Sequence, residues 1–460
     1  MPLANRLLHI ALSAIFVLLV VRILRIGRRP AGYPPGPPTL PILGNIHLMP
    51  SSNAHLQFQK WAEKYGPVYS LILGTKTLVV LSSDTAVKDL LDKKSSIYSD
   101  RQDIWRTPSK DDTKLKQLFE GFDEFSVINQ TGTAALIDFF PLLRKFPDWM
   151  IPTQAQARRM HEKEKNLYVG HWLIAKQSIQ DGTAKPSFSA DLIRLQEKEG
   201  FSDAQASYIT GSLLEAGSDT TSSTLYGFVQ AMLLFPEVQK KAQAEIDRVV
   251  GTERLPTMDD EPNLQYIRGV IKESLRWMPT TILGAVPHAV IQDDYYKGYL
   301  IPKDAGVLNN VYSIHHDPAR FPNPRQFEPM RYKDDYQSLF DAANNPDVTK
   351  RDQFTFGAGR RICQGIHVVE RSLFLGVSRL LWSFNFEPEV DENGFEILPD
   401  SNRLTQGFVC MPEPFKVKIV PRSKERVALI EKEWKEAQEL LDPETKQWKE
   451  VPEGMVLPRL

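Results

Sequence analysis

The chain has 460 residues, of which 56 Lys and Arg face 57 Asp and Glu for a formal charge of −1. Such a balance gives no whole-chain field that would recruit a nucleic acid, and 42% hydrophobic residues over this length can fill a large globular core. Two cysteines, Cys363 and Cys410, exclude a disulfide framework and fit a reducing compartment.

From the N-terminus, Leu7 to Leu24 is apolar apart from His9, Ser13 and Arg22, marginally the length of about 20 residues needed to span a bilayer. No small-residue cleavage site follows. Arg22, Arg25, Arg28 and Arg29 follow instead, against Arg6 alone in front. The segment 1–26 is therefore expected to be an uncleaved, single-pass anchor with the body of the chain on the cytoplasmic side. Residues 27–41 alternate Pro30, Pro34, Pro35, Pro37, Pro38 and Pro41 with Gly32 and Gly36. Such a stretch cannot form regular helix and is expected to be a stiff hinge.

Val68 to Leu73 and Thr77 to Leu81 read as strands around Gly74. From about Lys114 to Trp277, apolar residues recur at three and four spacing, predicting helices. The long segment Ser202 to Leu234, ending before Pro236, carries Ala216-Gly217-Ser218-Asp219-Thr220-Thr221 at its middle. Glycine there costs about 1 kcal/mol relative to alanine, and threonine hydroxyls can bond back and bend the helix. Asn263 to Trp277 reads as a helix closed by Pro279, with Glu273 and Arg276 on one face. The adjacent His315 and His316, after Val307 to Ile314, could suggest a metal. On an extended chain they would point opposite ways, which argues against a shared metal. Ser423 to Glu450 reads as an exposed, charged helix and tail. The whole is mainly α with a minor β region: a single catalytic domain over 42–421 and a charged tail over 422–460.

One segment carries the chemistry. Phe356-Gly357-Ala358-Gly359-Arg360-Arg361-Ile362-Cys363-Gln364-Gly365 sets one cysteine among three glycines and two arginines ahead of a helical run. Glycines permit close backbone approach to a flat macrocycle, and Arg361 could meet its carboxylates. A helix N-terminus after Cys363 would favour its thiolate. A thiolate on heme iron favours O–O cleavage.

Phe356, Gly359, Arg361, Cys363 and Gly365 resemble the heme-binding signature F-x-x-G-x-R-x-C-x-G of the cytochrome P-450 superfamily. The resemblance implies that family's fold, heme b with Cys363 as axial iron ligand, and Arg361 and His288 at the heme propionates. It also implies that Thr220 and Asp219 handle protons in the oxygen groove of the long central helix. Glu273 and Arg276 would be joined by Arg331, within Phe327-Glu328-Pro329-Met330-Arg331-Tyr332, in a structural clamp. The function implied is oxidation of a lipophilic small molecule with O2, with electrons from NADPH through a partner reductase at the endoplasmic reticulum membrane. Gln364 to Ser372 is most similar to fungal members that tailor secondary metabolites. A heme-thiolate isomerase or dehydratase is the alternative enzyme. Against the family pattern, roughly 60 to 80 residues, several helices at average length, are missing near 101–113. They include a helix whose Trp and Arg meet the heme, and Trp105-Arg106 lacks the spacing to replace it. A shortened, non-catalytic product is the remaining alternative.

Overall fold

The computed structural model describes residues 2–101, 137–443 and 448–451. Helix α1, Pro2–Arg25, opens the chain. Among the described residues no helix is long and apolar enough to cross a membrane; the described side chains of α1 are His9 and those from Leu12 onward. Gly27, at φ +78°, ends this helix so close to the chain at Gly44 that a side-chain carbon would come within 2.5 Å of the Gly44 nitrogen.

The proline-rich stretch is hydrogen-bonded to the body of the chain. Proline supplies no N–H, yet its carbonyls still need partners, and the side chains of Arg29, Asn45 and Ser70 provide them, Ser70 donating to the Pro34 carbonyl at 2.6 Å. Arg29 donates to the carbonyls of Gly36 (3.1 Å), Pro37 (3.0 Å) and Ser70 (2.9 Å) and to the Ser70 hydroxyl (3.0 Å). The fully buried Asn45 donates to the carbonyls of Pro37 and Pro38 and accepts from the Ile72 N–H at 2.9 Å. The segment is thereby fixed along the first strand. Arg29→Ala should cost about 2 to 3 kcal/mol, since hydrogen bonds from a charged group are the stronger kind. Thermal denaturation together with accelerated proteolysis within 27–45 would register that loss.

Helix α2, Ala54–Tyr65, lays Phe58 and Trp61 on strand β1, Val68–Leu73, which pairs antiparallel with β2, Lys76–Leu81. Strand β3 is Asp100–Arg101. The start of the region expected to be helical from Lys114 lies outside the described residues. Helix α3, Pro152–Gln180, and α4, Phe188–Glu199, follow. The 32-residue central helix α5, Asp203–Leu234, starts at a capping box in which Ser202 and Gln205 satisfy each other's backbone. Helix α6, Pro236–Val249, and α7, Gln265–Trp277, come next.

Strand β4, His288–Ala289, and β5, Gly306–Asn309, complete a sheet ordered β1-β2-β5-β4-β3, with β2 and β5 parallel and the other pairs antiparallel. Helix α8, Ile366–Ser383, runs from the cysteine loop into β6, Phe384–Glu387, which pairs with β7, Lys418–Pro421. The main core lies where Phe228 and Met232 of α5, Ile246 of α6, Val270 of α7 and Phe374 and Val377 of α8 meet. Helix α9, Lys424–Glu439, is largely exposed as expected, except that buried Arg426 donates to Asp247 at 2.8 Å.

The His315–His316 pair departs from the extended chain expected. After β5, Asn310 caps a short helix over Val311–His315. His316 stacks on Tyr312 with ring centroids 4.0 Å apart, and His55 meets the same ring edge-on at 4.6 Å. Burial, aided by Arg276 or Arg325, depresses all three imidazoles: His55 to about 4, His315 to about 3 and His316 well below the usual histidine range. As pH falls through about 6.5 the unfolded chain gains protons that the folded chain refuses, so stability drops by roughly 2 kcal/mol per imidazole between pH 7 and pH 5. Asp352, pushed up to about 6 by burial, acts in the opposite direction and offsets part of this. The melting temperature is expected to fall steadily from pH 7 to pH 5, with a shallower slope in His55→Phe.

Candidate active site

The loop before α8 is shaped by its glycines. Gly359 sits at φ +61°, and a side-chain carbon there would fall 1.9 Å from the Leu91 carbonyl oxygen. Gly357 is also left-handed, and its carbonyl accepts from the buried Arg351 at 3.1 Å. Phe356 is a buried core residue whose carbonyl accepts the Cys363 N–H at 2.8 Å, closing the loop. Gly365 precedes α8, and a side-chain carbon on it would reach within 3.8 Å of the Cys363 sulfur.

Burial pushes the Cys363 thiol up, and the Gly365 N–H pulls it only partly back. Burial thus works against the thiolate in the sulfur's own setting, and coordination to a metal would favour it by deprotonating the thiol. Cys410 is fully buried and its thiol is pushed to about 12 by desolvation alone.

Beside this loop, distant segments converge. The Arg361 Nε donates to the Ser99 carbonyl at 2.6 Å with the guanidinium otherwise exposed. His288 is buried, its Nδ1 lies 2.7 Å from the Tyr98 carbonyl, and it pairs with Arg101 across β3 and β4. Arg361 and His288 thus share one rim. A carbonyl can only accept, so Nδ1 carries a proton, and His288 must be protonated on both nitrogens before Nε2 could donate to a carboxylate.

The middle of α5 is dense in hydroxyls bonded back to the helix. Thr220 donates to the Ala216 carbonyl (2.9 Å), Ser222 to that of Asp219 (2.7 Å) and Thr224 to that of Thr220 (3.0 Å). Ala216 and Gly217 are exposed, and a side-chain carbon at Gly217 would meet nothing within 4 Å. Asp219 and Thr220 adjoin this opening.

Glu273, Arg276 and Arg331 lie together. Arg276 donates through Nε and Nη2 to both oxygens of Glu273 (2.7 and 2.8 Å), and both side chains are fully buried. Glu273 also accepts from Arg331 Nε at 3.3 Å and from the Glu328 N–H at 2.8 Å, and Arg276 also donates to the His315 and Gln326 carbonyls.

The sequence model described as Cytochrome P450 matches residues 34–111 and 106–419. The chain belongs to the cytochrome P450 family. Among relatives of this P450, the cytochrome P450 monooxygenase virE of Hypocrea virens is 48% identical over 95% of this chain and 94% of its own. The cytochrome P450 monooxygenase fogE of Aspergillus ruber is 41% identical over 97% and 98%, and fsoB of Humicola fuscoatra 43% over 95% and 96%. The virE alignment spreads 95% of these 460 residues, about 437, over 521 positions, so roughly 80 positions hold no residue of this P450.

P450s are heme-thiolate enzymes, and this one is a heme-dependent monooxygenase that uses O2 and a redox partner on a small molecule. Its residues fit such a group: a half-buried sulfur outside any disulfide, a glycine cradle that side chains would fill, and the Arg361 guanidinium and His288 imidazole held on neighbouring carbonyls. Sequence reasoning missed Ser99, whose carbonyl seats Arg361, and a pair of threonines. Thr280 shares a 2.8 Å hydroxyl bond with Thr224, and Thr281 donates to the Thr355 carbonyl at 2.6 Å. The Thr-Thr dipeptide after Pro279 was the one available signal.

Proposed function

We propose that this P450 is a membrane-anchored monooxygenase that oxidises a lipophilic fungal secondary metabolite, with Cys363 as the axial ligand. The observation that carries the assignment is the Cys363 loop, whose cysteine is half-buried beside Gly365 while Cys410 is sealed in the core. The bound heme supplies oxygen activation. Around it, Arg361 and His288 would meet the propionates, Asp219 and Thr220 hold and pass protons at their carboxyl and hydroxyl oxygens, and Glu273, Arg276 and Arg331 keep the fold rigid. The catalytic domain spans 42–421, bracketed by the 27–41 strap and the 422–460 tail. Support for the substrate class comes from fungal relatives across most of the chain.

Helix α1 is the proposed anchor in the endoplasmic reticulum membrane, given its apolar sequence and basic flank, and an NADPH-cytochrome reductase the electron source. The two-piece family match, joining at 106–111, supports an internal shortening. Roughly 80 further residues belong near 101–113 in the natural protein, and an error in the gene structure explains their loss.

The test is the absorption spectrum of reduced protein under carbon monoxide, followed by NADPH oxidation with a reductase. A strongly red-shifted Soret band and NADPH-dependent O2 uptake are expected. Heme binding with activity independent of NADPH would instead indicate an isomerase or dehydratase. The same measurement on a form carrying the segment recovered from the transcript should show higher heme occupancy, and equal occupancy would count against the shortening proposal.

A further inference from the structure

Two adjacent threonines tie the two halves of the site to one short turn. Thr280 is 2% exposed and its hydroxyl lies 2.8 Å from that of Thr224, which is 4% exposed. Thr224 is one turn beyond Thr220 on α5 and is placed to donate to the Thr220 carbonyl at 3.0 Å. Each hydroxyl has a single proton to give. If Thr224 gave its proton to Thr280 instead, the Thr280 proton would lack an acceptor among the described residues, at the cost of a buried unmade bond. The direction is therefore Thr280 to Thr224 to the Thr220 carbonyl.

Thr281, the next residue, donates to the Thr355 carbonyl at 2.6 Å, directly before Phe356, whose own carbonyl holds the Cys363 N–H. The turn itself is anchored: the Thr280 carbonyl accepts from the Cys410 N–H at 2.8 Å, and the Thr355 hydroxyl returns to the Leu275 carbonyl at 3.2 Å. Back-bonded hydroxyls loosen a helix locally, and the turn of α5 from Thr220 to Thr224 is bonded from outside the helix by Thr280.

We propose that Thr280 and Thr281 form a gauge that sets the separation between the Asp219–Thr220 segment and the Cys363 loop, with Thr280 and Thr224 acting as positioning residues for Thr220. The proposal rests on the monooxygenase reading for its functional consequence. No proton passes through the gauge; it fixes where the Thr220 hydroxyl stands.

The decisive comparison is Thr280→Ser against Thr280→Ala, since both lack the γ-methyl and differ only in the hydroxyl. In the purified full chain, amide exchange over residues 220–228 should be about fivefold faster in the alanine variant than in the serine variant, the factor one neutral hydrogen bond commands. Residues 355–363 should stay unchanged. Thr281→Ala should reverse that pattern, loosening 355–363 and sparing 220–228. With heme, reductase and NADPH, the share of electrons released as hydrogen peroxide should rise in Thr280→Ala and remain close to wild type in Thr280→Ser. Equal exchange, or equal peroxide, in the serine and alanine variants overturns the proposal. Absence of the carbon monoxide band even with the missing segment restored would sink the monooxygenase reading instead, and the exchange comparison would still decide whether the gauge exists.

Discussion

Replacing Glu273 with alanine should abolish accumulation of folded protein. Its carboxylate takes two bonds from Arg276, one from Arg331 and one from the Glu328 backbone, and Arg276 has no exposed surface through which water could replace it. Breaking one side of a buried pair costs about 3 to 5 kcal/mol because the surviving charge is left uncompensated, against a total stability of about 5 to 15 kcal/mol for a typical domain. The clamp joins α7 to the chain near 328–331 and to the carbonyls of His315 and Gln326, so its loss opens contacts on both sides of α7. The control is the exposed pair Lys432 and Glu436 on α9, 3.8 Å apart with both side chains more than half exposed. Glu436→Ala should change stability by no more than about 0.5 kcal/mol. Soluble yield and thermal denaturation would measure both, and a Glu273→Ala protein melting within a degree or two of wild type would show that the clamp is not holding the fold.

The second large effect is spectral. Cys363→Ala should eliminate the red-shifted Soret band of the reduced, carbon monoxide-bound protein, while Cys410→Ala should retain it. The two thiols differ in setting. Cys363 is half-buried in a glycine loop at the head of α8, whereas Cys410 is sealed in the core and its sulfur lies 3.6 Å from the Gly407 carbonyl. Removing the Cys410 sulfur leaves a small cavity, a loss of about 1 kcal/mol, which a folded protein tolerates. A band that survives Cys363→Ala would place the iron on another ligand. A band lost only in Cys410→Ala would invert the assignment.

The elements legible in the sequence were those whose cause is local. The 32 residues of α5 and the run of α8 follow from apolar spacing and from the Ser202 cap, and β1 and β2 from β-branched runs around Gly74. Arg331 could be joined to Glu273 only through family resemblance, because nothing local relates positions 58 residues apart. The contacts of the proline-rich segment were illegible for a similar reason. Composition shows that such a stretch cannot be helix, but not that Arg29 and Asn45 would occupy its carbonyls and bind it to β1. His315 and His316 were placed on an extended chain because the capping residue Asn310, where strand gives way to helix, leaves no periodic signal. Thr280 and Thr281 look ordinary until folding brings Thr224 and Thr355 to them.

The strap also has a mechanical consequence. The Ile42 N–H bonds to the Ile26 carbonyl at 2.6 Å, Arg29 grips Ser70 of β1, and Asn309 at the end of β5 donates to the Phe354 carbonyl at 3.3 Å, just ahead of the cysteine loop. From α1 to Cys363 the connection therefore runs through hydrogen-bonded backbone and a single sheet, with no slack linker to absorb rotation. A domain on a loose tether would sample every heading; this one carries a fixed compass bearing. Whatever fixes the tilt of α1 also fixes the tilt of the group held by Cys363, so linear dichroism of oriented samples should report one angle and not a distribution.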